Sequence, residues 1–224
     1  MLNLDVRETL RFLDEKPAGS RCHATAVTQV CGEDLGLALL RRYLSRDGAV
    51  VERLIGPCTQ GTKKGRRLDG WIHLRHDATE VLYQVEVKSW SAHALGGTPL
   101  PIDAPKERQS EYRIARWKGE WNGFTFIKEN VRKVLTPMRP PEGCEGLPIK
   151  PLVCYWWPIH PDGLADPFFM MPLTSEQFSE VSFFSMSNYL RGCGEAVITL
   201  DLPNTAARMG WLASMFRPAA VAQA

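Results

Sequence analysis

Apolar and polar positions alternate at period two over Val81-Leu-Tyr-Gln-Val-Glu-Val-Lys88. That period predicts a β-strand with Val81, Tyr83, Val85 and Val87 on one face and Gln84, Glu86 and Lys88 on the other. A second alternating stretch, Arg67 to Leu74, predicts a preceding strand with Asp69 at its start. The segment Arg75 to Glu80 between them is short enough for an antiparallel hairpin, which would bring Asp69 near Glu86 and Lys88 on the polar face. Ala49 to Ile55 predicts the first strand of the same meander. Downstream, Pro151 to Trp157 reads as a buried strand, Asp166 to Pro172 as a short one, and Ala196 to Leu202 as an alternating one.

Helical periodicity is clearest from Ala24 to Arg46. At about 100° per residue, Ala26, Val30, Leu37, Leu40 and Leu44 share a face, with Glu33 in its middle and Asp34, Arg41, Arg42 and Ser45 away from it. A carboxylate in an apolar stripe is costly unless it is paired, and a metal ion or Lys88 would remove the cost. Arg46-Asp-Gly48 is the stop. Further helices are predicted over Leu4 to Glu15, from Asp103-Ala-Pro105 onward, and over Ile127 to Leu135. The capping box Thr174-Ser-Glu-Gln177 predicts a helix to about Leu190, and Asn204 opens a last one to about Phe216. The aromatic group Tyr155, Trp156, Trp157, Phe168 and Phe169 reads as core packing or an interface ahead of base stacking.

Composition narrows the class. The chain has 224 residues, 44% hydrophobic and 23% charged, enough for a full core without staples. No apolar run reaches the roughly 18 residues of a transmembrane helix, and the charged N-terminal segment has no secretory apolar region. The expectation is a cytoplasmic protein with no membrane partner. The six cysteines form no C-x-x-C pair, so they read as reduced thiols rather than a zinc site. No repeat or flexible linker divides the chain, which reads as one domain over residues 1–224.

A net charge of only +2 means that any phosphate binding must come from local patches. The loop from Gly56 to Arg67 is one, with three glycines and the cations Lys63, Lys64, Arg66 and Arg67 leading into Asp69. It lacks the spacing of a nucleotide P-loop, and a merely solvated basic loop is the alternative.

The series helix-Glu33, strand-Asp69, strand-Glu86-Val87-Lys88 resembles the PD-(D/E)xK nuclease superfamily, with Leu68 where that superfamily commonly carries Pro. The resemblance implies an α/β (α+β) fold with a restriction-endonuclease-like core over about residues 24–160, a mixed central sheet flanked by helices, and a C-terminal α/β extension over about 161–217. It implies hydrolysis of phosphodiester bonds, with DNA favoured as substrate. Asp69 and Glu86 would hold Mg²⁺, for which Mn²⁺ substitutes, joined by the Val87 carbonyl. Glu33 would bind a second ion directly or through water. Lys88 would assist the attacking water. Gln84 shares their face as a possible hydrogen-bond partner of the site. On the helix after the Lys88 strand, Gln109 and Arg113 would touch substrate. A homodimer or a partner protein fits cutting of both strands. Two other readings stand beside this one: a non-catalytic nucleic-acid-binding or assembly module that keeps the fold, and a structure-selective nuclease like the Holliday-junction resolvases.

Overall fold

The computed structural model describes residues 1–15, 21–54, 59–60, 66–88, 134–156, 166–173 and 177–215. Its centre is a meander. Strands β2 (Val50–Leu54), β5 (Gly70–His76) and β6 (Thr79–Lys88) pair antiparallel in sequence order. Between β2 and β5 a two-residue ribbon joins β3 (Thr59–Gln60) to β4 (Arg66–Arg67). The β5–β6 turn is tight because Asp77 takes a left-handed φ of 52°, which Asp tolerates better than most residues. Strand β7 (Ile149–Tyr155) then adds parallel to β6.

The residues beyond the expected core complete the same sheet. Strand β9 (Glu180–Ser185) pairs parallel with β7, and β8 (Phe168–Pro172) pairs antiparallel with β9 on the edge. The result is a six-stranded mixed sheet in the order β2-β5-β6-β7-β9-β8, flanked by helices. A separate ribbon pairs β1 (Leu2–Asp5) with β10 (Val197–Leu200).

Two predicted helices need correction. Leu2 to Asp5 is strand, and helix α1 spans only Val6–Leu10, its first turn capped by Asp5 accepting from Glu8 N–H at 2.8 Å. A π-helical turn over Arg11–Glu15 follows. Likewise, within the helix expected over Thr174 to Leu190, Glu180 to Ser185 is strand β9, while residues 174–176 lie outside the described residues. Val181, Ser182, Phe183 and Phe184 are all buried, as befits a strand covered on both faces, and that position reverses the helical bias of the capping box. Helix α3 (Met186–Gly192) begins only after Ser185, whose Oγ accepts from Asn188 N–H at 3.3 Å. The final helix, α4 (Pro203–Met215), lies where expected, with Asn204 inside it rather than at its cap. Val134 and Leu135 lie in a turn, not in a helix; the rest of that predicted helix and the one from Asp103 lie outside the described residues.

Helix α2 (Arg21–Leu44) packs on the sheet face that carries Val81, Tyr83, Val85 and Val87. Two glycines set its approach. A Cβ on Gly36 would stand 2.7 Å from Val87 Cγ1, and a Cβ on Gly70 would stand 2.7 Å from Leu37 Cδ1. The phase of this helix differs from the expectation. Glu33 is exposed, Ala26 is exposed and Val30 half-buried, whereas every residue from Asp34 to Leu40 is buried.

Asp34, expected to face away, is 1% exposed. Its carboxylate accepts from Arg53 Nη1 at 2.7 Å, from Thr205 N–H at 2.9 Å and from Asn204 Nδ2 at 3.2 Å. Burial pushes the Asp34 carboxyl upward, but the Thr205 amide and the Arg53 guanidinium outweigh it and hold it below the usual carboxylate range. The partners come from β2 and α4, far away in the chain, so the helix's own periodicity carries no sign of them.

Candidate active site

Asp69, Glu86 and Lys88 meet at one end of the sheet. Strand β6 directs the backbone groups of Val85 and Val87 toward β5 and those of Leu82 and Lys88 toward β7. Asp69 N–H donates to the Val85 carbonyl at 3.3 Å, Leu82 N–H to Pro148 at 3.0 Å, and Trp156 N–H to Lys88 at 3.1 Å. Gly70 pairs with Val85, so continuing the register by one residue sets Asp69 opposite Glu86. Beyond Gly70, β5 offers no further ladder acceptor to Val87. The Asp69 side chain supplies one, its Oδ2 accepting the Val87 N–H at 2.7 Å.

Glu86 and Lys88 project from the face opposite α2, two residues apart on one strand. Lys88 Nζ donates to Glu86 Oε1 at 2.6 Å. Glu86 is 1% exposed and the Lys88 side chain 18%, so this is a largely desolvated ion pair rather than a surface one. Lys88 lies level with Tyr155 and Ser185 on the neighbouring parallel strands, at the carboxyl ends of β6, β7 and β9. That edge is where open α/β sheets place ligands.

The surrounding residues are mostly structural. Gln84 shares the face of Glu86 but is consumed elsewhere. Its Nε2 donates to the carbonyls of Val134 and Thr136, and its Oε1 accepts from Met138 N–H at 3.1 Å. It clasps the turn that leads into β7. Tyr155 stacks on Phe183 and Phe183 on Phe169, and all three are buried, as core packing requires. Cys154 lies on the α2 side of β7 beside Val87; burial, and then the Asp69 charge, push its thiol well above its ordinary value. Such a thiol is unreactive.

Asp69 and Glu86 are hard oxygen donors on adjacent strands. By the alternation of β6, the Val87 carbonyl is directed to the same side as Asp69. This donor set suits one Mg²⁺, which keeps waters of its own and needs only one or two carboxylates. Glu33 does not join it. It is exposed, on a helix that covers the other face of the sheet. Among the described residues no group of three or more His, Cys, Asp or Glu side chains forms a metal-binding cluster. An arrangement with a second ion on Glu33 is therefore not supplied by these residues.

Of the expected substrate contacts, Arg66 and Arg67 form β4, ahead of Asp69. Lys63, Lys64, Gln109 and Arg113 lie outside the described residues. Sequence reasoning missed the clasp made by Gln84 and the buried Asp34–Arg53 pair. Neither carries a local signal, since both depend on partners from other elements. No helix among the described residues is long and apolar enough to cross a membrane. The chain shows no significant match to protein-family models, to curated proteins or to solved structures.

Proposed function

We propose that this protein is a metal-dependent nuclease of restriction-endonuclease-like fold that hydrolyses phosphodiester bonds in DNA. The observation that carries the reading is the convergence of Asp69 with the Glu86–Lys88 pair at the carboxyl end of β6. The chain order supports it: a helix, a three-stranded meander and then a parallel strand beside the one that bears Glu86 and Lys88.

In this reading Asp69, Glu86 and the Val87 carbonyl would hold Mg²⁺, which would supply Lewis-acid polarisation of the scissile phosphate and activation of water. Lys88 donates hydrogen bonds toward the attacking water or the phosphoryl oxygens, where negative charge grows in the transition state. Glu86 fixes the Lys88 ammonium at 2.6 Å, so the donor is preorganised. Asp69 is oriented by the Val87 amide, which donates to its Oδ2 at 2.7 Å.

One observation favours the non-catalytic binding module instead. Asp69 and Lys88 both have intramolecular partners that explain them structurally, and Glu86 is almost wholly buried.

Cleavage of supercoiled plasmid, linear duplex, single-stranded DNA and RNA with Mg²⁺, Mn²⁺ or EDTA separates the two readings. Wild type cutting in a metal-dependent way, with Lys88→Ala inactive, supports the nuclease. A folded wild type that binds DNA and cuts none of these substrates supports the module.

A further inference from the structure

On the α2 side of the sheet a cleft of about 710 Å³ opens between the C-terminal half of α2, β2 and the β1–β10 ribbon. Its lining includes four arginines, Arg41, Arg42, Arg46 and Arg53, against two carboxylates, Glu195 and Asp201. In a chain of net charge +2 this is a marked local concentration of cations.

The four arginines are not equivalent. Arg42 Nη2 donates to both Glu195 oxygens, at 2.6 and 2.8 Å, and Arg53 is committed to Asp34 at 2.7 Å. These two pairs build the wall. Arg41 is exposed, and its Nε donates to the Val51 carbonyl at 3.0 Å, an anchor that sets the guanidinium while leaving its Nη donors to the cleft. Arg46 is also exposed; its guanidinium lies 3.8 Å from the Tyr43 ring centroid, its Nη2 donates to the Tyr43 hydroxyl at 2.6 Å, which anchors one end of the fork, and its contact to Asp47 is a solvent-exposed 3.6 Å pair of little energetic weight. The helix end would disfavour an anion through its carbonyls. Here the Arg41 carbonyl is covered by Ser45, whose N–H and Oγ both donate to it, at 3.0 and 2.8 Å.

We infer that this cleft is a binding site for a small phosphorylated ligand, with Arg41 and Arg46 as the phosphate donors. Planar guanidinium forks held in place match phosphate oxygens two at a time. The volume lies within the range of small-molecule sites. The inference is independent of the nuclease reading, because Glu86 and Lys88 project from the opposite face of the sheet.

Calorimetric titration with pyrophosphate and with ADP tests it, for wild type, Arg41→Gln/Arg46→Gln, Asp201→Asn and the remote control Arg75→Gln. Thermal melting of each variant checks the fold. The expected result is saturable binding that falls at least tenfold in the double variant, tightens in Asp201→Asn and is unchanged in Arg75→Gln. No saturation with either probe at millimolar concentration, or equal affinity in the double variant, would overturn the site. A short DNA duplex is the third probe. Binding of the duplex alone, lost in the double variant, would overturn the small-ligand assignment in favour of a nucleic-acid backbone.

Discussion

Asp69 and Val87 are joined by a hydrogen bond in which the side chain of one strand's first corner completes the backbone ladder of the next. This single contact gives Asp69 a structural duty separable from metal binding. In Asp69→Asn the amide oxygen still accepts the Val87 N–H, so stability falls by less than about 1 kcal/mol while metal-dependent cleavage is lost. In Asp69→Ala the amide is orphaned, and the loss is about 2 kcal/mol. Urea unfolding of the two variants beside a cleavage assay checks the split; equal stability losses would show that the hydrogen bond is dispensable.

Lys88→Ala removes the ammonium 2.6 Å from buried Glu86. Loss of one preorganised donor to the transition state is expected to cut the cleavage rate by about 10²- to 10³-fold. Single-turnover kinetics at saturating Mg²⁺ read this directly. A variant within threefold of wild type would remove Lys88 from the mechanism.

Gly36→Ala sets two effects against each other. Alanine favours the helix over glycine by about 1 kcal/mol. Its Cβ, however, would stand 2.7 Å from Val87 Cγ1, on a buried, β-branched residue in the middle of the sheet that has little freedom to move. Overpacking of this kind costs about 1–3 kcal/mol, so the net expectation is a loss of about 1 kcal/mol. A lowered melting temperature, with impaired cleavage because Val87 lies between Glu86 and Lys88, is the outcome to look for. A raised melting temperature would mean that the helix moves away freely.

Asp34 links stability to pH. Its folded-state carboxyl is held low, so its contribution is complete above the ordinary carboxylate pKa of about 3.9 and is lost as pH falls through the lowered value. At neutral pH, Asp34→Asn leaves Arg53 without its charged partner and is expected to cost about 3 kcal/mol. The gap between wild type and variant should narrow only below about pH 4. Urea midpoints measured from pH 3 to pH 7 test this, and a gap independent of pH would show that the charge of Asp34 is irrelevant.

Much of the candidate site was legible in the sequence because it lies on two sequential strands. Period-two alternation is a local property. It placed Glu86 and Lys88 on one face, and a short turn was enough to bring Asp69 beside them. Strand β7 was legible for the same reason, as a short apolar run between Pro-rich and Gly-rich segments.

The errors share an opposite cause. Glu33 and Asp34 are adjacent, and helical periodicity assigned the inward position to Glu33, because a wheel registers only the stripe that faces one neighbour. From Asp34 to Leu40 the helix is enclosed on all sides, and Asp34 is buried because Arg53 of β2 and Thr205 of α4 receive its charge. Segment 180–185 became strand β9 because β7 and β8 flank it, although a capping box preceded it. The meander, the alternation of β6 and the meeting of Asp69, Glu86 and Lys88 follow from patterns carried by neighbouring residues and are readable from the chain alone. Which acid of α2 is buried, what Gln84 binds and where β9 lies depend on groups distant in the chain, which contribute only after it has folded.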